Sequence, residues 1–359
     1  MQSSFFDLED RYRQLSRSGD PLERLSRAID WELFRALLLR VDEKPRKSNA
    51  GRKPVDRVLM FKMLVLQNKY RLSDEQLEYQ VTDRLSFMRF LGVMLAGDVP
   101  DSRTVWAFRD ALKAAGLIEP LFELFNRALN DMGVMMNSGQ IIDATFVPVP
   151  IQRNGVENNA LIKEGAIPLV WGDTPAKLRQ KDTDARWTKK GGQNHYGYKN
   201  HINVDKATKL IAAYSATDAS VHDSQEIDSL LRPANGEAAG GAAVYADSAY
   251  RSVATEQALV ERGHDSQINE RAWRNTPLSE HQEASNTEKS RIRARVEHVF
   301  GMMENSMGGI FLRSIGQARA AVGIGLMNLV YNLLRVETLI RHKVFDFDRV
   351  TTSALRAAT

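Results

Sequence analysis

Along the first third of the chain, apolar residues recur every three or four positions. Asp30 to Val41 and Val55 to Tyr70 each set Leu, Met, Phe and Val on one side of a helical period. Ser73 with Gln76 three residues later forms a capping box that opens another helix. Asp101-Ser102-Arg103-Thr104 caps a further one running through Val105, Trp106 and Phe108 to Leu112. From Gly139 the pattern changes. Gln140 to Val147 is a β-branched run ended by Pro148 and Pro150, which predicts a strand. His201–Asp205 and Lys209–Tyr214 predict two more strands around a tight turn at Lys206-Ala207-Thr208. Ala242–Ala246 predicts a fourth and His264–Ile268 a fifth. Helical stretches are expected at Asp223–Leu231, Ser252–Arg262 and Thr287–Met303. A hairpin meander followed by alternating strands and helices describes a mixed α/β layer, not a doubly wound nucleotide-binding sheet.

This divides the chain into a helical domain over 1–135, an α/β domain over 136–340 and a tail over 341–359. Its 359 residues suit two domains of roughly 100–200 residues each. The segment of about 148–196 reads as a long, basic, weakly periodic insertion, and loops beyond about 12–15 residues are usually functional or disordered. The short N-terminal helices, with basic residues at their starts, fit a helix-turn-helix-like DNA-binding module and a plain dimerisation domain equally well. The polar linker 42–54 adds Arg52 and Lys53 to the basic set.

Composition narrows the chemistry. There is no cysteine, so disulfides, thiolate metal sites and cysteine nucleophiles are excluded. A net charge of +4 permits a nucleic-acid partner without requiring one. Residues 1–13 lack the apolar core of a signal peptide, and the apolar run Ala320–Leu334 is 15 residues long where a bilayer span needs about 20. The expectation is an intracellular protein with no membrane partner. Phosphate-binding glycine loops, Gly-x-Ser-x-Gly and His-Glu-x-x-His are absent from the sequence.

Three carboxylates stand out. Asp143 lies inside an apolar strand, where a lone charge is costly unless paired or bound to metal. Asp247 ends the strand Val244-Tyr245-Ala246, the kind of position where ligands collect in α/β layers. Glu297 flanks the apolar stripe Val296, Val299, Phe300 and Met303, with Arg293 one turn earlier. Each has a plainer explanation taken singly: a turn former, a helix cap, or an Arg293–Glu297 surface pair contributing a few tenths of a kcal/mol.

Together Asp143, Asp247 and Glu297 resemble the DDE triad of bacterial insertion-sequence transposases, specifically the insertion-sequence-5 family. Six segments in order carry the resemblance: Gly51-Arg52-Lys53-Pro54; Pro100 to Thr104 with Phe108-Arg109; Gly197 to His201; Ala219 to Ser224; Tyr245 to Tyr250; and Arg293-x-x-x-Glu297 with Phe300-Gly301. The related Tyr-x2-Arg-x3-Glu-x6-Lys signature is half kept, with Ser290 in place of Tyr and Glu304 in place of Lys. The resemblance implies an RNase H-like catalytic domain behind the all-α domain. It also implies cleavage at terminal inverted repeats and joining of the 3′-hydroxyl to target DNA. A nuclease without strand transfer and a catalytically idle DNA-binding derivative are the alternatives. Two Mg²⁺ ions, replaceable by Mn²⁺, are implied on the three carboxylates. Without metal, converging carboxylates repel and at least one pKa rises.

The implied DNA partner, held by a homodimer or larger synaptic complex in the bacterial nucleoid, calls for cations. Lys189, Lys190, Lys199, Arg291, Arg293, Arg295, Arg52, Lys53 and Arg103 are the candidate contacts. Trp187 reads as a packed core residue, with stacking on an unpaired base as the alternative. His201 and His222 are expected near the site, as groups supporting it or as structural hydrogen-bonders.

Overall fold

A computed structural model describes residues 7–42, 54–134, 139–233, 242–272 and 276–351. The chain forms two compact units, one of residues 1–134 with 329–359 and one of residues 135–328.

The first unit is helical. Apolar residues of Pro21–Ala28, Arg57–Tyr70, Asp74–Asp83, Leu85–Leu91, Ser102–Ala114 and Ile118–Asp131 fill its core. Asp30–Val41, expected as one helix, is a 3₁₀ turn (Trp31–Phe34), a short helix (Arg35–Leu39) and another 3₁₀ turn (Arg40–Asp42). That tighter path lets Trp31 meet Phe90 edge-on at 5.3 Å and Phe34 meet Phe61 at 4.8 Å. Both cap signals are realised: Ser73 and Gln76 bond reciprocally, and Asp101 accepts the Thr104 N–H at 2.7 Å. Within the motif that follows, Phe108 is buried and Arg109 forks onto Asp74 at 2.7 and 2.8 Å. Of the segment expected as a tail, Val350 forms a backbone bridge to Ile29 and Arg349 pairs with Asp30 at 3.2 Å.

Among the described residues, the second unit holds one six-stranded sheet: β1 (Gln140–Pro148), β2 (Arg186–Lys190), β3 (Gln193–Asp205), β4 (Ile211–Asp218), β5 (Ala243–Tyr245) and β6 (Asp265–Ser266). β3 runs antiparallel to β1, β2 and β4, while β5 is parallel to both β1 and β6. Leaving out the β2 extension, the order β4-β3-β1-β5-β6 is an antiparallel meander joined to a parallel pair, the RNase H-like arrangement.

Both faces are covered, which is why β3 is buried from Tyr196 to Asp205. On one face Asn200 exchanges amide bonds of 2.7 and 3.0 Å with Asn328, in the helix Gln317–Arg341. On the other, Ile142, Ala213, Val244 and Ala246 pack with Ile227, Leu230, Tyr250, Leu259 and Ile268. At the β3–β4 turn, Asp205 accepts bonds from Ala207 and Thr208.

The expected insertion is structured. It contains the helices Val156–Lys163, Leu169–Gly172 and Pro175–Leu178, then β2, paired to an extended β3 through Gly191-Gly192, both at positive φ (60° and 83°). Two strands are longer than expected: β3 starts at Gln193 and β4 continues to Asp218. The single helix expected over Thr287–Met303 is two, Glu280–Arg293 and Glu297–Ser306. Between them the backbone tightens to i→i−3 bonds, as from Val296 N–H to Arg293 C=O (2.9 Å) and Glu297 N–H to Ala294 C=O (3.2 Å). Hydrophobic periodicity does not register one tightened turn.

Candidate active site

β1 and β5 run in the same direction, with Gln140 opposite Val244 and Ile141 opposite Tyr245. Two residues further along each chain stand Asp143 and Asp247, on the same face as Ile141 and Tyr245. Neighbouring strands lie about 4.8 Å apart, so the pairing register carries the two carboxylates to adjoining positions. Opposite Asp143 on its other side is Ile202 of β3.

Asp143 Oδ1 accepts the Ala144 N–H at 2.8 Å, and Oδ2 accepts Arg293 Nη1 at 3.0 Å. Its side chain is 12% exposed. Burial pushes its pKa up to about 6. The Ala144 bond and the Arg293 charge oppose that rise, while Asp247 and Glu297 add to it. Asp247 is half-buried and caps the 3₁₀ turn Ser248–Tyr250 by accepting the Ala249 N–H at 2.8 Å. Glu297 is exposed at the first position of its helix, whose buried side is Val299 and Met303. Arg293, expected one turn before Glu297 on a shared helix, instead ends the preceding helix and pairs with Asp143, not with Glu297. Tyr250, inside the second motif, buries a hydroxyl that has no hydrogen-bond partner among the described residues. Its pKa is driven well above the usual phenol value by burial, reinforced by Asp223, Asp143 and Asp247.

Asp182 marks the difference between a buried acid that serves the fold and one that has chemistry left over. Its oxygens accept from the Tyr198 hydroxyl (2.8 and 2.9 Å) and from the backbone N–H groups of Asp184, Ala185 and Gly316. Asp143 has half that support and carboxylates for neighbours.

A hard divalent cation suits this donor set. The ligands available are carboxylate oxygens, and Asp143 is buried with two hydrogen-bond donors on it. In position the set is incomplete: among the described residues no three His, Asp or Glu side chains are gathered closely enough to share a metal ion. Arg293 is the cation in contact with Asp143.

The basic residues separate by strand pleat. In the β2–β3 hairpin Lys189 is exposed opposite Asn194, on the side of the sheet that carries Asp143. Lys190 points the other way and reaches Asp223 at 3.3 Å. Lys199 is a correction: rather than an exposed DNA contact, it is buried, with Nζ 2.8 Å from Asp223 and 2.6 Å from the Val221 carbonyl. Phe146 stacks on His195 at 4.0 Å and receives both ammonium groups at its ring, Lys199 at 5.4 Å and Lys190 at 5.9 Å. The Asp223 cluster escaped sequence reasoning, because a lysine inside a 13-residue strand looks like any surface lysine until both faces are seen to be covered.

Trp187 is also corrected. It is 44% exposed on the edge hairpin against Tyr196 (4.9 Å), not packed in the core, because β2 has no covering layer. His201 is fully buried, bonded through Nε2 to the Thr217 hydroxyl at 2.8 Å, and burial lowers its pKa to about 4. It lies on the face opposite Asp143. His222 caps the turn Asp223–Glu226 through Ser224. Arg291, Arg295 and Arg103 are exposed, and Arg295 donates to the Lys206 carbonyl at 2.7 Å. Arg52 and Lys53 lie outside the described residues. The two departures from the third motif serve the fold: Ser290 accepts from Asn269 (3.0 Å) and Glu304 from the Ile310 N–H (2.8 Å).

Residues 136–333 match the family model described as transposase DDE domain, and residues 9–111 match a transposase domain (DUF772). Among solved structures, a cryo-EM structure of piggyBac transposase synaptic complex with hairpin DNA is similar at 12% identity and TM-score 0.45, over 94% of this chain and 81% of that one. A likeness that slight carries no weight of its own.

Proposed function

The chain belongs to the transposase DDE-domain family, and from that premise we propose that it moves a bacterial insertion sequence of the insertion-sequence-5 family. It binds the terminal inverted repeats, cuts the DNA at the element ends and joins the freed 3′-hydroxyl to target DNA. The observation that carries this reading is the parallel β1–β5 register, which leads Asp143 and Asp247 to the same edge of the sheet, with Glu297 close enough to raise the proton affinity of Asp143.

In this reading Asp143, Asp247 and Glu297 hold two Mg²⁺ ions, and Mn²⁺ substitutes. When bound, the ions supply alignment of the attacking and leaving oxygens and relief of phosphate charge. The chain's own residues do the rest. Asp143 is oriented by the Ala144 N–H and Asp247 by the Ala249 N–H, each on one oxygen, at adjoining positions of the parallel β1–β5 pair. Lys189, Arg291, Arg295 and Arg103, with Arg52 and Lys53, bind phosphates, which positions the duplex without reading its sequence. Lys190 and Lys199 act on Asp223, holding the hairpin that carries Lys189. Because two element ends are cut together, the working form is a dimer or larger synaptic assembly on nucleoid DNA. Among the described residues no helix is long and apolar enough to cross a membrane.

Labelled end DNA incubated with the protein, Mg²⁺ and a plasmid target tests the proposal. Joined products are expected. Asp143→Ala, Asp247→Ala and Glu297→Ala should each abolish cutting while retaining end binding. Cleavage without joining reduces the protein to a nuclease, and absence of cutting by the wild type overturns the reading.

A further inference from the structure

A permanent cation already sits on the central carboxylate. Arg293 donates one arm, Nη1, to Asp143 Oδ2 at 3.0 Å, while its buried Nε has no hydrogen-bond partner among the described residues. A guanidinium cannot shed its proton, so it meets Asp143 as an obligate positive charge. The contact is single-armed where a fork would be stronger, and Arg293 remains 27% exposed, with solvent as its way out. Arg293 closes one helix and Glu297 opens the next, on either side of the tightened turn at 294–296.

We propose that Arg293 is the resting counter-ion of Asp143, and that a divalent cation enters the site only as this guanidinium leaves it, in an exchange built around the turn at 294–296. The proposal rests on the carboxylate reading above. Two cations compete for one oxygen, and the like charge of the guanidinium opposes a metal ion beside it. The turn then works as a latch that keeps a DNA-free protein from loading metal. Arg293 is thus a positioning residue acting through Asp143. Its effect differs from that of an ordinary structural pair, because removing it improves metal binding.

The test is Mn²⁺ binding to the full, DNA-free chain, followed by electron paramagnetic resonance of free Mn²⁺. Arg293→Gln and Arg293→Met keep the side-chain length and drop the charge, so either serves if the other does not fold, as thermal unfolding will report. Both are expected to bind Mn²⁺ about tenfold more tightly than the wild type, a coupling ordinary for residues sharing a partner. Arg293→Lys, which keeps the charge, should stay near wild type, and Asp143→Asn should remove the gain in the double variant. If Asp143→Asn weakens binding while the charge-free variants bind no better than wild type, the latch is refuted and the carboxylate reading survives. If Asp143→Asn leaves Mn²⁺ binding unchanged, both fall.

Discussion

Asp143→Asn should make the metal-free protein more stable. The native carboxyl holds its proton up to about pH 6, against an ordinary value of 3.8 in the unfolded chain. Below pH 3.8 both states are protonated and the group is neutral in the balance. Between 3.8 and 6 the unfolded chain releases its proton while the folded one keeps it, so stability falls as pH rises; above 6 the loss is complete. At about 1.4 kcal/mol for each tenfold change in proton affinity, the charge costs about 3 kcal/mol at neutral pH. Asparagine carries no charge and keeps one oxygen, for Arg293, while the Ala144 N–H loses its acceptor, which takes back about 1 kcal/mol and leaves a net gain of about 2 kcal/mol. For a unit of this size that is a rise in unfolding temperature of about 4–8 °C. The assay is thermal unfolding in chelator at pH 7.5 and again near pH 4, where the gap should close. Millimolar Mg²⁺ should narrow it at neutral pH by stabilising only the wild type. An Asp143→Asn protein that melts at or below the wild type in chelator at pH 7.5 refutes the reasoning.

Other perturbations discriminate among residues that look alike in the sequence. Lys189→Glu should weaken end-DNA binding and reduce its log–log salt slope by about one or more, measured by fluorescence anisotropy across ionic strength; an unchanged slope removes Lys189 from the interface. Lys199→Met should destabilise by about 3 kcal/mol in chemical denaturation by stripping a buried partner from Asp223, whereas Lys190→Met, half exposed, should cost less than about 1 kcal/mol. Gly197→Ala would place a Cβ 2.4 Å from the Val147 carbonyl at φ 142°, so it should unfold the β1–β3 pairing and lose cleavage; Gly192→Ala, at φ 83° with open space around it, should cost only about 1 kcal/mol.

Local chemistry was legible without coordinates wherever the signal lay within a few residues. The capping box at Ser73 and the Asp101 cap are fixed by hydrogen bonds three residues long, so they formed as expected. The strand at Gln140–Val147 followed from β-branching and its terminal prolines, and the charge inside it marked Asp143 as out of place. β2 escaped because an exposed edge strand needs no apolar face, although Gly191-Gly192 was a hairpin signal in plain view.

What the sequence determined by itself was most of the strands and helices, the change from a helical to an α/β texture near residue 139, and an acid out of place inside an apolar strand. Tertiary structure decided the rest, because its causes act between residues far apart in the chain. Parallel pairing of β1 with β5 set Asp143 beside Asp247 across about a hundred residues. The tightened turn at 294–296 gave Arg293 to Asp143 instead of to Glu297. Strand pleat sent Lys189 and Lys190, adjacent in sequence, to opposite faces, one toward solvent and one onto Asp223. Composition records which charges a chain carries; only burial and pairing decide which of them are spent on the fold and which remain for chemistry.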